Sequence, residues 1–294
     1  MKNKIRGISA LLGATLIWGS AFIAQSVGMD LIGPFTFQAI RCGLAVLFLV
    51  PLSLILDKGN IKIWRSKWAN PKLWKSGLIC GLALFAAASM QQVGLVYTDA
   101  GKAGFITAMY IVLVPILGLF LKRKPPRSAL FSVILAVAGL YLLSCVGVSE
   151  INKGDLLVMG CALAYAVQIT CVDLVAGDLD GLRLNCVQAL VATVLSVPFM
   201  VFTETLEPAN ILACWLPLCY AGILSMGVAY TLQIVGQKAL EPTTASLIMS
   251  LESVVAALCG WLILKEIMTG TELLGSALVF AAVVISQLPE KKKA

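Results

Sequence analysis

The chain has 294 residues, of which 60% are apolar and only 13% charged, with a mean hydropathy of +0.94. Soluble domains carry roughly 25% charged residues, so water is excluded as the main solvent of this protein. The formal charge of +7 does not indicate nucleic acid, because the basic residues collect beside apolar runs, and the absence of histidine excludes a histidine base, a histidine-ligated metal or haem and a serine–histidine pair.

Apolar runs follow one another at 5–27, 33–56, 74–96, 101–121, 128–145, 153–175, 183–203, 214–237, 243–264 and 270–288. At about 1.5 Å per helical residue each can cross a hydrocarbon layer of about 30 Å, with 128–145 near the lower limit. The first run follows the basic start MKNKIR and contains Gly19-Ser20-Ala21, features of a cleaved signal peptide. It is long for that role and has an internal counterpart, so it is read as a retained span. The third run carries Gly77 and Gly81 in a G-x-x-x-G spacing, expected to serve close packing within the chain rather than dimerisation. Pro115 in the fourth run predicts a kink there, either static or a hinge.

The nine cysteines (Cys42, Cys80, Cys145, Cys161, Cys171, Cys186, Cys214, Cys219 and Cys259) lie within or at the ends of these runs without metal-ligand spacing, and are read as small packing residues. No cofactor or metal is expected. No G-x-x-x-x-G-K-[ST] loop occurs, which argues against an ATP-driven pump in this chain.

With the N-terminus inside, the cytoplasmic side receives Lys2, Lys4, Arg6, the Lys58 to Lys75 cluster, Lys122 to Arg127, Arg183, Lys238 and Lys291 to Lys293. The opposite side receives Lys102, Lys153 and Lys265. This asymmetry predicts a multi-pass protein of the cell membrane with both termini cytoplasmic.

Sliding the sequence on itself reveals two related halves. An offset of 147 pairs Gly13, Leu16, Ala45 and Pro51 with Gly160, Leu163, Ala192 and Pro198, sets Trp18 opposite Tyr165, and sets Arg41 opposite Gln188. After the second run the offset becomes 142, pairing Gln91, Gly94, Ala103, Ile106 and Gly118 with Gln233, Gly236, Ala245, Ile248 and Gly260. In that register Asp99 meets Glu241 and Tyr110 meets Glu252. An odd number of spans per half makes the halves cross in opposite directions. The expected fold is therefore an all-α integral membrane protein of ten transmembrane helices in two inverted five-helix repeats, 1–148 and 149–294.

The stretch TASLIMSLESVVAALCGWLILKE (Thr244 to Glu266), its first-half counterpart GKAGFITAMYIVLVPILGLFLKRK and the N-terminal ALLGATLIWGSAFIA resemble the EamA-type members of the drug/metabolite transporter superfamily. The resemblance covers essentially the whole chain in two copies. It implies a secondary transporter that exports a small metabolite, an amino acid or an amphiphilic compound. One departure is Ser253, which stands where the family usually has proline after Glu252, so the kink of that helix is expected to be reduced or shifted.

An ionisable group in mid-span costs several kcal/mol (~2.5 to 3.5 on insertion scales), which makes Glu252 and Arg41 functional candidates. Glu252 suits a proton-binding or cation-attracting carboxylate, or one held by Arg41 or backbone amides; Arg41 suits a solute carboxylate, or a structural ion pair or snorkelling. Symmetry places Trp18 with Tyr165, Gln91 with Gln233, Tyr110 with Glu252 and Arg41 with Gln188 around one cavity, to which Gln168 and Tyr230 are added as polar groups of the spans. The expected partners are a small solute, the lipid bilayer and protons as coupling ion, with the chain a monomer or homodimer. The rival readings are a receptor or scaffold without transport, and an intramembrane enzyme. The latter is opposed by the lack of a catalytic dyad.

Overall fold

A computed structural model describes residues 2–98, 100–123, 125–144, 151–263 and 268–287, and these are helical with no strand among them. The expected roles of Asp99, Cys145, Lys265 and Lys291 to Lys293, and the boundary at 148/149, lie outside the described residues.

The first three spans are Lys2–Leu31, Pro34–Leu56 and Pro71–Leu95. The fourth consists of Ala100–Ala108 and Tyr110–Phe120, and the fifth is Arg127–Ser144. The sixth and seventh are Lys153–Val175 and Gly181–Thr203. After a short helix, Pro208–Ala213, the eighth runs through Trp215–Cys219, Tyr220–Ala229 and Tyr230–Gln237. The ninth comprises Pro242–Met249 and Leu251–Ile263, and the tenth is Gly270–Gln287. Nine of these are long and apolar enough to cross a membrane, and the fifth is a shorter apolar helix.

Start signals sit where the chain needs them. Pro34, Pro71, Pro208 and Pro242 occupy first-turn positions that have no intrahelical partner for an N–H. Asn152 and Asp155 form a capping box on the sixth span, and the Asp180 carboxylate caps the seventh through the Leu182 and Arg183 amides.

The packing repeats in the way the sequence repeats. The first span packs on the eighth and ninth, and the sixth packs on the third and fourth; the second packs on the eighth, and the third on the seventh. The second and seventh spans also meet each other, as do the fifth and tenth. Exchanging each span for its counterpart five places on leaves this pattern unchanged, as a two-fold pseudo-symmetry requires. Close crossings obey it too. A Cβ on Gly7 would lie 3.2 Å from the Gly236 carbonyl oxygen, and one on Gly94 would lie 3.2 Å from that of Gly154, the symmetry-related pair. Gly77 and Gly81 take Val187 and Val191 of the seventh span, so the G-x-x-x-G spacing serves packing within the chain.

The fifth and tenth spans approach most tightly. A Cβ on Gly275 would stand 2.5 Å from the Gly139 carbonyl oxygen and 2.6 Å from the Leu143 nitrogen. Both are backbone atoms, which cannot move aside as a side chain would. Gly275→Ala is expected to destabilise the protein by about 1–3 kcal/mol, read as a lowered thermal unfolding midpoint in detergent.

Two carboxylates clasp the second and seventh spans from opposite ends. Glu204 accepts hydrogen bonds from the Phe35 and Thr36 amides and from the Thr36 hydroxyl, each at 2.7 Å. Asp57 pairs with the buried Arg183 guanidinium and, at 2.5 Å, with Lys67. The offset of 147 carries Thr36 onto Arg183 and Asp57 onto Glu204, so one contact has been built twice. The Lys67 ammonium, with Arg183 beside it, holds the Asp57 carboxyl below the usual carboxylate range. Stability from this clasp is therefore fully present above the unfolded aspartate value of about 3.9 and is lost as pH falls through the lowered folded value. Asp57→Asn is expected to flatten that acid limb, measured as unfolding midpoint against pH beside the wild type.

Three departures from the expected helices have local causes. The fourth span is interrupted at Met109, six residues before Pro115, where the backbone tightens through Met109 N–H to the Ile106 oxygen and Val112 N–H to the Met109 oxygen. The ninth span is interrupted at Ser250, on the N-terminal side of Ser253, where the sequence predicts a reduced or shifted kink. No proline is needed there, because the Ser250 hydroxyl donates to the Leu247 carbonyl at 2.8 Å, a back-bond that bends helices. In the eighth span the ten residues Tyr220–Ala229 wind in wider π turns. The Met226 and Gly227 carbonyls each accept from the Asn185 amide at 2.9 Å, which satisfies groups outside the regular ladder.

Candidate functional site

The two interrupted spans and the widened eighth span meet at a narrow cavity of about 50 Å³. Its wall takes Trp18, Phe22 and Gln25 from the first span, Arg41 from the second and Gln91 from the third. Thr107 and Tyr110 come from the fourth span, Tyr165 and Ile169 from the sixth. Ser225, Tyr230 and Gln233 come from the eighth, and Met249 and Glu252 from the ninth. The break at Met109 immediately precedes Tyr110, and the break at Ser250 lies two residues before Glu252. Helix interruptions therefore turn these two groups, which are symmetry counterparts, toward one space.

Polar contacts inside the wall are few. The Tyr110 hydroxyl donates to Glu252 Oε1 at 3.1 Å. Tyr165 donates to Gln91 Oε1 at 3.3 Å and lies 3.1 Å from the Tyr230 hydroxyl, while Gln91 Nε2 donates to Thr107 at 3.3 Å. Trp18 meets the Tyr230 ring edge-on with centroids 4.9 Å apart.

Both mid-span charges face the cavity and both are buried, with Arg41 3% and Glu252 7% exposed. They are not each other's partner, so the expected alternative of a mutual ion pair is not realised. Arg41 donates to Gln25 Oε1 at 2.6 Å and to Gln38 Oε1 at 2.9 Å, and the ion pairs of the described residues lie at the ends of spans. Arg41 Nε, Trp18 Nε1 and Gln233 Oε1 are buried polar atoms with no hydrogen-bond partner in the protein, and all three belong to cavity residues. Orphans of this kind are rare in native interiors and costly at roughly 1–3 kcal/mol each. Among the described residues, seven further buried orphans lie on residues away from the cavity, so the three mark its residues as polar without fixing which atoms face the space.

Of the sequence candidates, Trp18, Arg41, Gln91, Tyr110, Tyr165, Tyr230, Gln233 and Glu252 line the cavity, whereas Gln168 and Gln188 do not. The two amides are fully buried and spent on neighbours. Gln168 donates to Gln188, Gln188 donates to Asn185, and Gln233 donates to Gln168. The expected pairing of Arg41 with Gln188 around the site is thus half realised. Phe22, Gln25, Thr107, Ile169, Ser225 and Met249 complete the wall without having been selected. The repeat register contained a signal for four of them, since it pairs Phe22 with Ile169 and Thr107 with Met249.

Comparison with known proteins fits this architecture. The EamA-like transporter family matches residues 5–145 and again 152–287. An uncharacterized transporter of Archaeoglobus fulgidus is 34% identical over 276 residues, covering 93% of this chain and 83% of the relative. The threonine/homoserine exporter RhtA of Escherichia coli K12 is 28% identical over 291 residues, covering 96% of this chain and 91% of that protein. A solved crystal structure at 18% identity superposes with a TM-score of 0.74 over 93% of this chain and 96% of its own, a likeness of fold alone. Ten apolar helices in two repeats around a polar cavity, matched by one family in both halves, make this chain a member of the EamA-like transporters of the drug/metabolite transporter superfamily.

Proposed function

We propose that the protein is a secondary transporter, not an enzyme, that carries a small zwitterionic metabolite of the amino-acid class outward across the plasma membrane. One observation carries this reading: a buried cation and a buried carboxylate share a cavity yet are not paired with each other. An unpaired buried charge is expensive, and a solute bearing both signs would offset both at once. Arg41 would take the solute carboxylate and Glu252 its ammonium, with Trp18, Tyr165 and Tyr230 lining the space. The name of the Escherichia coli relative, an exporter of threonine and homoserine, supports both the solute class and the direction.

In this reading both termini are cytoplasmic, and the halves 1–148 and 149–294 rock against each other to expose the cavity to one side at a time. Glu252 exchanges a proton as the cycle turns, which couples export to the proton gradient.

Proteoliposomes loaded with unlabelled L-threonine or L-homoserine and given labelled solute outside test the proposal. Saturable counterflow well above that of empty vesicles is expected. Flux at the level of empty vesicles for both solutes, and for a panel of other neutral amino acids, would leave the transporter reading without support.

A further inference from the structure

The segment between the second and third spans was expected to be a basic connection, but it contains a helix, Ile61–Trp68, started by Asn60, whose side chain accepts from the Lys62 and Ile63 amides. From Lys58 to Lys75 the sequence has Lys58, Lys62, Arg65, Lys67, Lys72 and Lys75 and no acidic residue. At about 3.6 residues per turn, Lys62, Arg65 and Ser66 fall on one arc, and Ile61, Ile63, Trp64, Lys67 and Trp68 fall on the other. The single charge on the apolar arc, Lys67, is the one neutralised by buried Asp57.

The helix is docked rather than dangling. Trp64 donates to the Ser53 hydroxyl at 2.7 Å, Trp74 donates to the Trp68 carbonyl at 2.7 Å, and the Arg183 guanidinium lies 5.8 Å from the Trp68 ring centre. The Trp64, Trp68 and Trp74 rings follow one another at 6.0 and 6.1 Å. Ile61 and Ile63 stay 56% and 47% exposed, and Lys58, Lys62, Arg65, Lys72 and Lys75 are all exposed.

We infer that this helix and its basic flanks form a binding surface for anionic phospholipid headgroups. The position at the ends of two spans sets it at headgroup depth, where tryptophans concentrate at the boundary between apolar and wet layers. Exposed isoleucines in a run of cations suit a surface that is apolar below and negative above. A neutral bilayer would leave the cations uncompensated.

The test compares lipid retention by the detergent-purified full chain incubated with an equal mixture of phosphatidylglycerol and phosphatidylcholine, read by native mass spectrometry at low salt. Wild type is expected to retain phosphatidylglycerol preferentially, and the preference should fall as salt is raised. The triple variant Lys62→Gln/Arg65→Gln/Lys72→Gln is expected to lose affinity by roughly 100-fold, since each basic group near an anionic surface contributes about a fivefold factor. Equal retention of the two lipids by wild type, or unchanged retention by a triple variant that unfolds at the wild-type temperature, overturns the inference. Should the triple variant not fold, Lys62→Glu alone, a reversal on the exposed arc, must weaken phosphatidylglycerol retention while leaving phosphatidylcholine retention as it was. An unchanged phosphatidylglycerol retention in that variant also overturns it.

Discussion

Glu252→Gln is expected to leave the protein folded and to remove the part of its flux that a pH gradient drives. Glutamine has nearly the same shape and keeps a carbonyl oxygen where Glu252 Oε1 accepts from Tyr110 at 3.1 Å, so that phenol stays satisfied. What disappears is the only carboxylate among the described residues of the cavity wall, and with it the group proposed there to take up and release a proton. Gradient-driven accumulation in proteoliposomes should drop close to the level of empty vesicles. Passive counterflow should also weaken, because the solute ammonium loses its counter-charge. Unfolding midpoint should not fall and should rise modestly, since the substitution trades a buried charge without an ionic partner for a neutral amide. Were the variant to transport with unchanged rate and unchanged pH dependence, Glu252 would have no part in coupling.

Much of this site was legible because lipid makes polar residues conspicuous and because the fold was built twice. The cost of a mid-span charge singled out Glu252 and Arg41, and the repeat register found Trp18 with Tyr165 and Gln91 with Gln233. The same register also leads to Phe22 with Ile169 and Thr107 with Met249, which a search for charges and amides does not mark. Gln25 has Val172 as its counterpart and escapes a search by symmetry, although it holds Arg41 at 2.6 Å. Gln168 and Gln188 show the converse limit. Sequence tells which amides are expensive in a membrane, but not which are already satisfied by a neighbour on another helix. Backbone irregularity was hidden for a related reason. Proline is a visible helix breaker, yet the interruptions fall at Met109 and Ser250, where backbone tightening and a serine back-bond do the bending. The helix Ile61–Trp68 escaped because eight residues in a basic stretch give little periodic signal beyond Trp64 and Trp68 one turn apart.

Arg41 provides the sharper test of the solute class, because its structural and binding duties separate by ligand. One terminal nitrogen ties the second span to Gln25 of the first, the other bonds Gln38 one turn back on its own span, and its Nε is left without a partner in the protein. A hydrogen bond to a charged group contributes about 1.5–3 kcal/mol, so Arg41→Gln should weaken L-threonine by about 10- to 100-fold at about 1.4 kcal/mol per factor of ten. L-Threonine methyl ester keeps the ammonium but has no carboxylate for Arg41 to hold, so its affinity should change little. Thermal-shift titrations of both ligands against wild type and variant measure the contrast directly. Loss confined to the carboxylate-bearing ligand assigns Arg41 to the solute. Equal loss for both ligands would mean that Arg41 only positions Gln25 and Gln38, and that the cavity recognises its solute through Glu252 and the aromatic wall. Arg41→Lys should fall between the two, since an ammonium restores the charge but not the planar fork that reaches both glutamines and carries a further N–H.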